Sequence, residues 1–134
     1  MKQLISFETA GKILLTILIG LIFFHILVLT GIIPKDIVWA GSIQDKQDLI
    51  KKESLSLVIL SVVILIVLLK LRHINSFLPA KLIDIAMWLP VILFSLNTLG
   101  NLTALHPLER YGFGLLTLIM AFLSLRLALE KRSK

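Results

Sequence analysis

Cysteine is absent from the 134-residue chain, which excludes thiol–disulfide exchange, thiolate metal sites and cysteine nucleophiles. Charge is scarce too. Only 16% of residues are Asp, Glu, Lys or Arg, against about 25% in an ordinary soluble domain. Acids are the rarer sign, with eight against fourteen bases, for a formal charge of +6. Those bases form no dense arm or recognition motif, so no nucleic-acid partner is expected. No nucleophile with a paired base is evident, which argues against an enzyme, and no cofactor motif appears.

What the chain has instead is apolar surface, 57% of residues and a mean hydropathy of +0.98. A soluble fold of this length would leave about a third of its extended-chain surface exposed. That much apolar surface needs lipid, so the fold class expected is an all-α membrane protein, a four-helix transmembrane bundle with short loops. Four spans of about 20 residues take roughly 80 of the 134 positions, leaving no room for a separate soluble domain.

The spans fall at about 12–33, 50–70, 82–102 and 112–130, with a longer loop over 34–54. The first is the longest apolar run, Ile13–Ile33, between Lys12 and Pro34. Val38-Trp39-Ala40 resembles a signal-peptidase site, but the run before it exceeds the 7–15 residues or so of a signal peptide. A retained span is therefore expected. The second apolar stretch, Leu55–Leu69, reaches only about 22 Å across a core of about 30 Å. Lys70 is expected to snorkel at one end, and Lys51, Lys52 and Glu53 lie near the interface at the other. Ser42 and Asp45 have capping-box spacing, which would start this helix near Ile43. In the third span Pro90 predicts a kink. In the fourth, Tyr111 marks one interface and Arg126 is expected to snorkel to the other.

Lys and Arg near the span ends divide nine to five, the larger share on the side of Lys2, Lys12, Lys70, Arg72, Lys81 and the C-terminus. The positive-inside rule then puts both termini in the cytoplasm of a cell membrane, with loop 34–54 outside. Insertion in both orientations stays open.

Polar residues within spans are functional suspects, and most of those that are not anchors fall in the outer half. His25 is either an interhelical hydrogen-bond partner or a proton carrier. Asn97 and Asn101, four apart on one helix face beside Gly100, are either interhelical glue at about 1 kcal/mol per bond or donors and acceptors for a ligand. Thr16 and Gly20 have small-xxx-small spacing and are expected to pack. Glu53, drawn toward hydrocarbon by a short span, is expected to turn inward or to pair with Lys51, Lys52 or the Glu109–Arg110 region. Asp84 is expected to pair with Lys81 or to start its helix. Trp39 lies in a segment, Ile37–Gly41, that is too apolar for a free loop; it is either an interfacial anchor or a lid over the outer span ends. His25, Glu53, His106 and Glu109 have no ligand spacing on one helix, so no metal site is expected.

Pro34–Gly41 with Trp39, Glu53 at the start of span two and Asn97-Thr98-Leu99-Gly100-Asn101 at the end of span three resemble a group of small uncharacterised bacterial four-span membrane proteins. The resemblance covers most of the chain and implies the fold but no activity. Where that group often reads Trp-Gly-Gly, this chain has Trp39-Ala40-Gly41. Small multidrug transporters carry a glutamate in the first span, where this chain offers only His25, and the patterns of the dual-topology fluoride channels are missing.

Two functions follow. One is a small ligand-binding or transport-type module whose outer-half polar pocket is built from Glu53, Asn97, Asn101, His25 and Trp39. The other is a non-catalytic accessory subunit whose polar groups pack helices or dock a partner. The partners expected are the lipid bilayer, with a small molecule or ion in the first case and a membrane protein or second copy in the second.

Overall fold

The computed structural model describes residues 4–131. Lys2, Arg132 and Lys134, counted in the charge division, lie outside the described residues. Four helical segments are long and apolar enough to cross a bilayer, 7–29, 46–70, 80–102 and 108–128, and the described residues contain no strand. This is the build of a multi-pass membrane protein, a four-helix bundle in which every span satisfies its own backbone.

Helix α1 (Phe7–Leu29) is capped by Ser6, whose side chain accepts from the Thr9 N–H at 3.1 Å, and Glu8 in its first turn complements the helix dipole. It stops in a Schellman motif, with Gly31 at φ +79° and the Ile32 N–H bonded to the Leu27 carbonyl. The left-handed residue favours glycine there, and Pro34 follows. Helix α2 (Lys46–Lys70) starts later than Ser42 and Asp45 suggested. Asp45 is the cap and accepts from Asp48 N–H at 2.8 Å, while the Asp48 carboxylate takes the Gln44 N–H. Ser42 instead receives Lys52 Nζ.

The third span is broken at Met87 into α3 (Ala80–Ala86) and α4 (Trp88–Leu102). Pro90 has no N–H to give the Ala86 carbonyl, so the expected kink falls one turn before it. The last span opens with a π-helical turn, Leu108–Phe113, and continues as α5 (Gly114–Ala128).

Helix α1 packs between α2 and α5, and α4 lies along α5; α2 meets α3 at the end that carries both termini. The core between them includes Leu14, Leu18, Val63, Val67, Met87, Phe94, Met120 and Leu127. Phe23, Val58, Ile92, Leu96 and Leu118 are exposed, as a lipid-facing surface requires. Lipid is as apolar as these side chains, so association rests on close packing. The tight contact is at Gly11, where a Cβ would lie 2.5 Å from Leu71 Cδ2. Thr16 and Gly20 do not pack: both are exposed, and nothing lies within 4 Å of a Cβ placed at Gly20.

The terminal end is closed by charges that were expected to reach water. Lys70 is 2% exposed and bonds Asp84 at 2.6 Å and the Glu130 carbonyl. Arg126, 4% exposed, donates to the Ile5 carbonyl at 3.1 Å and to the Glu130 carboxylate at 2.9 Å. Asp84 therefore pairs across helices with Lys70, and Lys81 stays exposed.

Candidate functional site

The opposite end is organised by the loop after α1. Lys35 Nζ donates to the Ile43 and Gln44 carbonyls at 3.1 and 3.2 Å. Val38 and Ile43 are buried with Val28 in a small apolar cluster flanked by Phe24, Ile33, Ile37 and Leu49. The segment thus folds back over the ends of the helices.

At its tip three successive residues, Trp39, Ala40 and Gly41, have φ of +53°, +52° and +68°. Glycine adopts this left-handed region freely, whereas an L-residue is strained by roughly 1–2 kcal/mol. Two of the three are not glycine, and such strain persists only where surrounding contacts over-determine it. Those contacts are two buried carboxylates. Trp39 Nε1 donates to Glu53 Oε1 at 3.1 Å, and the Ala40 N–H donates to Glu109 Oε1 at 2.8 Å.

Glu53, on the second turn of α2, is 0% exposed. Its other oxygen, Oε2, lies 2.6 Å from His25 Nδ1 on α1. With Trp39 on Oε1 and His25 on Oε2, both Glu53 oxygens are occupied. His25 is fixed further by Phe24, whose ring meets it edge-on with centroids 5.5 Å apart. Neither Lys51 nor Lys52 takes the Glu53 carboxylate: Lys52 bonds Asp48 at 2.9 Å.

Below the loop lies a cavity of about 360 Å³. His25, Trp39, Asn97 and Asn101 line it together with Ala40, Glu109 and Thr117; Glu53 stands behind His25 and Trp39 and does not line it. Four of the five site residues named from sequence therefore share one cavity, and the fifth holds two of them in place. Leu96, Asn97 and Gly100 on α4 are exposed where they border it. The two asparagines differ. Asn101 reaches Thr117 Oγ1 at 3.4 Å, beside the Thr98–Thr117 hydroxyl pair at 3.1 Å, and so joins α4 to α5. Asn97 borders the cavity at its exposed edge.

Glu109 is the cavity residue that sequence reasoning undervalued. It is 5% exposed, and its Oε2 has no hydrogen-bond partner among the described residues. The π-helical turn supplies the position: Glu109 faces in, while Arg110 and Tyr111 are exposed, with the guanidinium 5.7 Å from the Tyr111 ring. π-Turns recur at functional sites, but their six-residue ring has no sequence signature that would have revealed it. His106 is exposed and its Nδ1 accepts the Leu108 N–H at 3.2 Å. Among the described residues, no group of three or more His, Asp or Glu side chains is placed to hold a metal ion.

The arrangement ties α1, α2 and the outer segment together through Glu53, and sets a second buried carboxylate, Glu109, in the cavity wall. No protein-family model, no curated protein and no solved structure matches the chain.

Proposed function

We propose that this chain is a small ligand-binding or transport-type module of the cell membrane, a member of the group of small bacterial four-span proteins it resembles. Its ligand site is the cavity lined by His25, Trp39, Asn97 and Asn101 and supported by Glu53. The observation that carries this reading is the convergence of a hydrogen-bonded His25–Glu53 pair and a second buried carboxylate, Glu109, at one cavity beneath a strained segment that both carboxylates hold down. Ionisable groups at membrane depth are costly and mark ligand or ion paths. Polar residues that serve only as glue find one another across helices, as the Thr98 and Thr117 hydroxyls do. The cluster around Glu53 instead borders open volume.

In this reading both termini face the cytoplasm and the cavity faces outward. The buried charges at the terminal end close the bundle on the inner side, and the Trp39 segment is the movable outer cover. His25 and Glu53 are the groups through which ligand binding would couple to protons.

Thermal unfolding of the purified protein with a panel of small cationic, anionic and neutral compounds tests the assignment. At least one compound should raise the unfolding temperature of the wild type and lose that effect in Glu53→Gln and Asn97→Ala proteins of unchanged helix content. If no compound stabilises the wild type and both variants unfold earlier, the accessory-subunit reading replaces it. Labelling of Ser42→Cys from the outside alone supports the orientation; labelling from the cytoplasm alone overturns it.

A further inference from the structure

The four spans form an open arc. Helix α2 packs against α1, α1 against α5 and α5 against α4, while the two ends of the arc, α2 and α4, are bridged by α3 at the terminal end. Beyond that bridge the cavity separates them, with Ser56 and Ile59 on one wall and Leu96, Asn97 and Gly100 on the other. Gly100 marks the gap. It lies within a helix and lines the cavity, yet a Cβ placed there has nothing within 4 Å. Leu60, also on the wall, precedes Lys70 by ten residues, about 15 Å of helix, which is half of a core of about 30 Å. An opening between two spans at that depth faces acyl chains.

The lining changes in character along the spans. Leu21, Leu60, Leu93 and Phe94 make the inner part apolar. Asn97 lies one turn further out than Leu93 on α4, and His25 one turn further out than Leu21 on α1, with the Trp39 segment beyond them. A lipid in the leaflet on that side has the same order of polarity, head outward and chain toward the midplane. A volume of about 360 Å³ is over twice that of an engineered apolar cavity of about 150 Å³ that holds benzene. That is room for a stretch of one chain and too little for a helix about 10 Å across.

The polar end selects the head group. Among the described residues the Asn97 side chain makes no hydrogen bond, although it is exposed on a span. An amide offers an acceptor and two donors, and facing hydrocarbon without a partner is costly for it. No Lys or Arg lines the cavity to meet a phosphate or carboxylate. A cation finds no seat either, because both Glu53 oxygens are occupied and Glu109 Oε2 is closed off within the protein.

We infer that the cavity takes an uncharged single-chain amphiphile directly from the bilayer, a lipid with a hydroxyl-bearing head of the monoacylglycerol class. Its chain lies between α2 and α4, and its head exchanges hydrogen bonds with the Asn97 amide. This rests on the cavity being a ligand site, as proposed above, and adds the class of ligand and a lateral route of entry.

The test uses the full chain in phosphatidylcholine nanodiscs with Trp88→Phe, which leaves Trp39 on the cavity wall as the sole tryptophan. The probe is a monoacylglycerol whose chain carries two bromines near its head end, a short-range quencher of tryptophan. The same brominated chain is also presented as a fatty acid and as a lysophosphatidylglycerol. Quenching by the monoacylglycerol should saturate at low mole fraction, while the two charged lipids quench only in proportion to their amount. Asn97→Ala should raise the half-saturating mole fraction about fivefold, for the loss of one hydrogen bond between uncharged groups. Gly100→Leu puts a side chain into open space and replaces a poor helix former, so it should fold and abolish saturation. Saturation by a charged lipid at the same mole fraction, or unaltered saturation in both variants, overturns the inference. Efficient disulfide cross-linking between Asn97→Cys chains, on this cysteine-free background, would give the gap to a second copy and also overturn it. If no brominated lipid saturates while a water-soluble compound stabilises the protein against heat, the lipid assignment falls and the ligand site stands. If neither occurs, both fall.

Discussion

Replacing Trp39 by phenylalanine removes one N–H, keeps an aromatic ring over the cavity, and so isolates the bond that ties the outer segment to Glu53. The indole nitrogen is 3.1 Å from Glu53 Oε1, on a residue that is 0% exposed, while Trp39 itself is 37% exposed. A hydrogen bond to a charged group contributes about 1.5–3 kcal/mol. Water can reach the half-open Trp39 side, which favours the lower part of that range, roughly 1.5–2 kcal/mol. At 1.4 kcal/mol per factor of ten, the open population of the segment rises about 10–30-fold. The chain contains no cysteine, so a single Ser56→Cys, on the cavity wall, reports opening through its rate of reaction with a water-soluble maleimide. Expected is a 10–30-fold faster reaction in Trp39→Phe, on the same 1.5–2 kcal/mol basis, and no change in Trp88→Phe, a ring 44% exposed on α4. An unchanged rate in a folded Trp39→Phe protein, or an equal acceleration by Trp88→Phe, would refute the latch.

Three other outcomes follow from the packing. Ala40 sits at φ +52°, so Ala40→Gly relieves left-handed strain and should stabilise the protein by about 1 kcal/mol; a fall in melting temperature in detergent would count against that backbone. Lys70 is buried and Asp84 is partly exposed, so Asp84→Asn should cost about 3 kcal/mol, the lower end for breaking a buried pair, and Lys70→Met with Asp84→Leu should recover most of it. Equilibrium unfolding in mixed micelles measures both, and a double variant no more stable than the single one contradicts the argument. Gly11→Ala must displace Leu71 and should destabilise by roughly 1–3 kcal/mol, whereas Gly20→Ala, with open space around it, should be neutral or stabilising; the reverse order in thermal unfolding would show that α1 packs through the other face.

The expected spans were legible because the constraint behind them is one-dimensional. A bilayer core demands about 20 apolar residues per helix and leaves no other way to satisfy the backbone. Local rules also read the break before Pro90 and the shared face of Asn97 and Asn101, since both depend on separations of four residues along one helix. They misread the start of α2, where Asp45 and Ser42 compete as caps and Asp48 decides in favour of Asp45.

The site itself depends on pairings far apart in the chain. His25 meets Glu53 across 28 residues and the Ala40 N–H meets Glu109 across 69. Composition marked each of these side chains as unusual in a membrane, but only the order in which α2, α1, α5 and α4 pack places them round one cavity. The same holds at the terminal end. Taken alone, Lys70 and Arg126 are long cations near span ends, for which snorkelling is the cheapest solution. Once α3 brings Asp84 up to Lys70 and the Ile5 carbonyl comes up to Arg126, pairing within the protein replaces hydration, with Glu130 adding a local contact four residues on from Arg126. The sequence by itself determined how many times the chain crosses and which residues are too polar for lipid. The tertiary structure decided which of those residues satisfy one another and, among the described residues, left the second oxygen of Glu109 and the Ser124 hydroxyl buried without a partner.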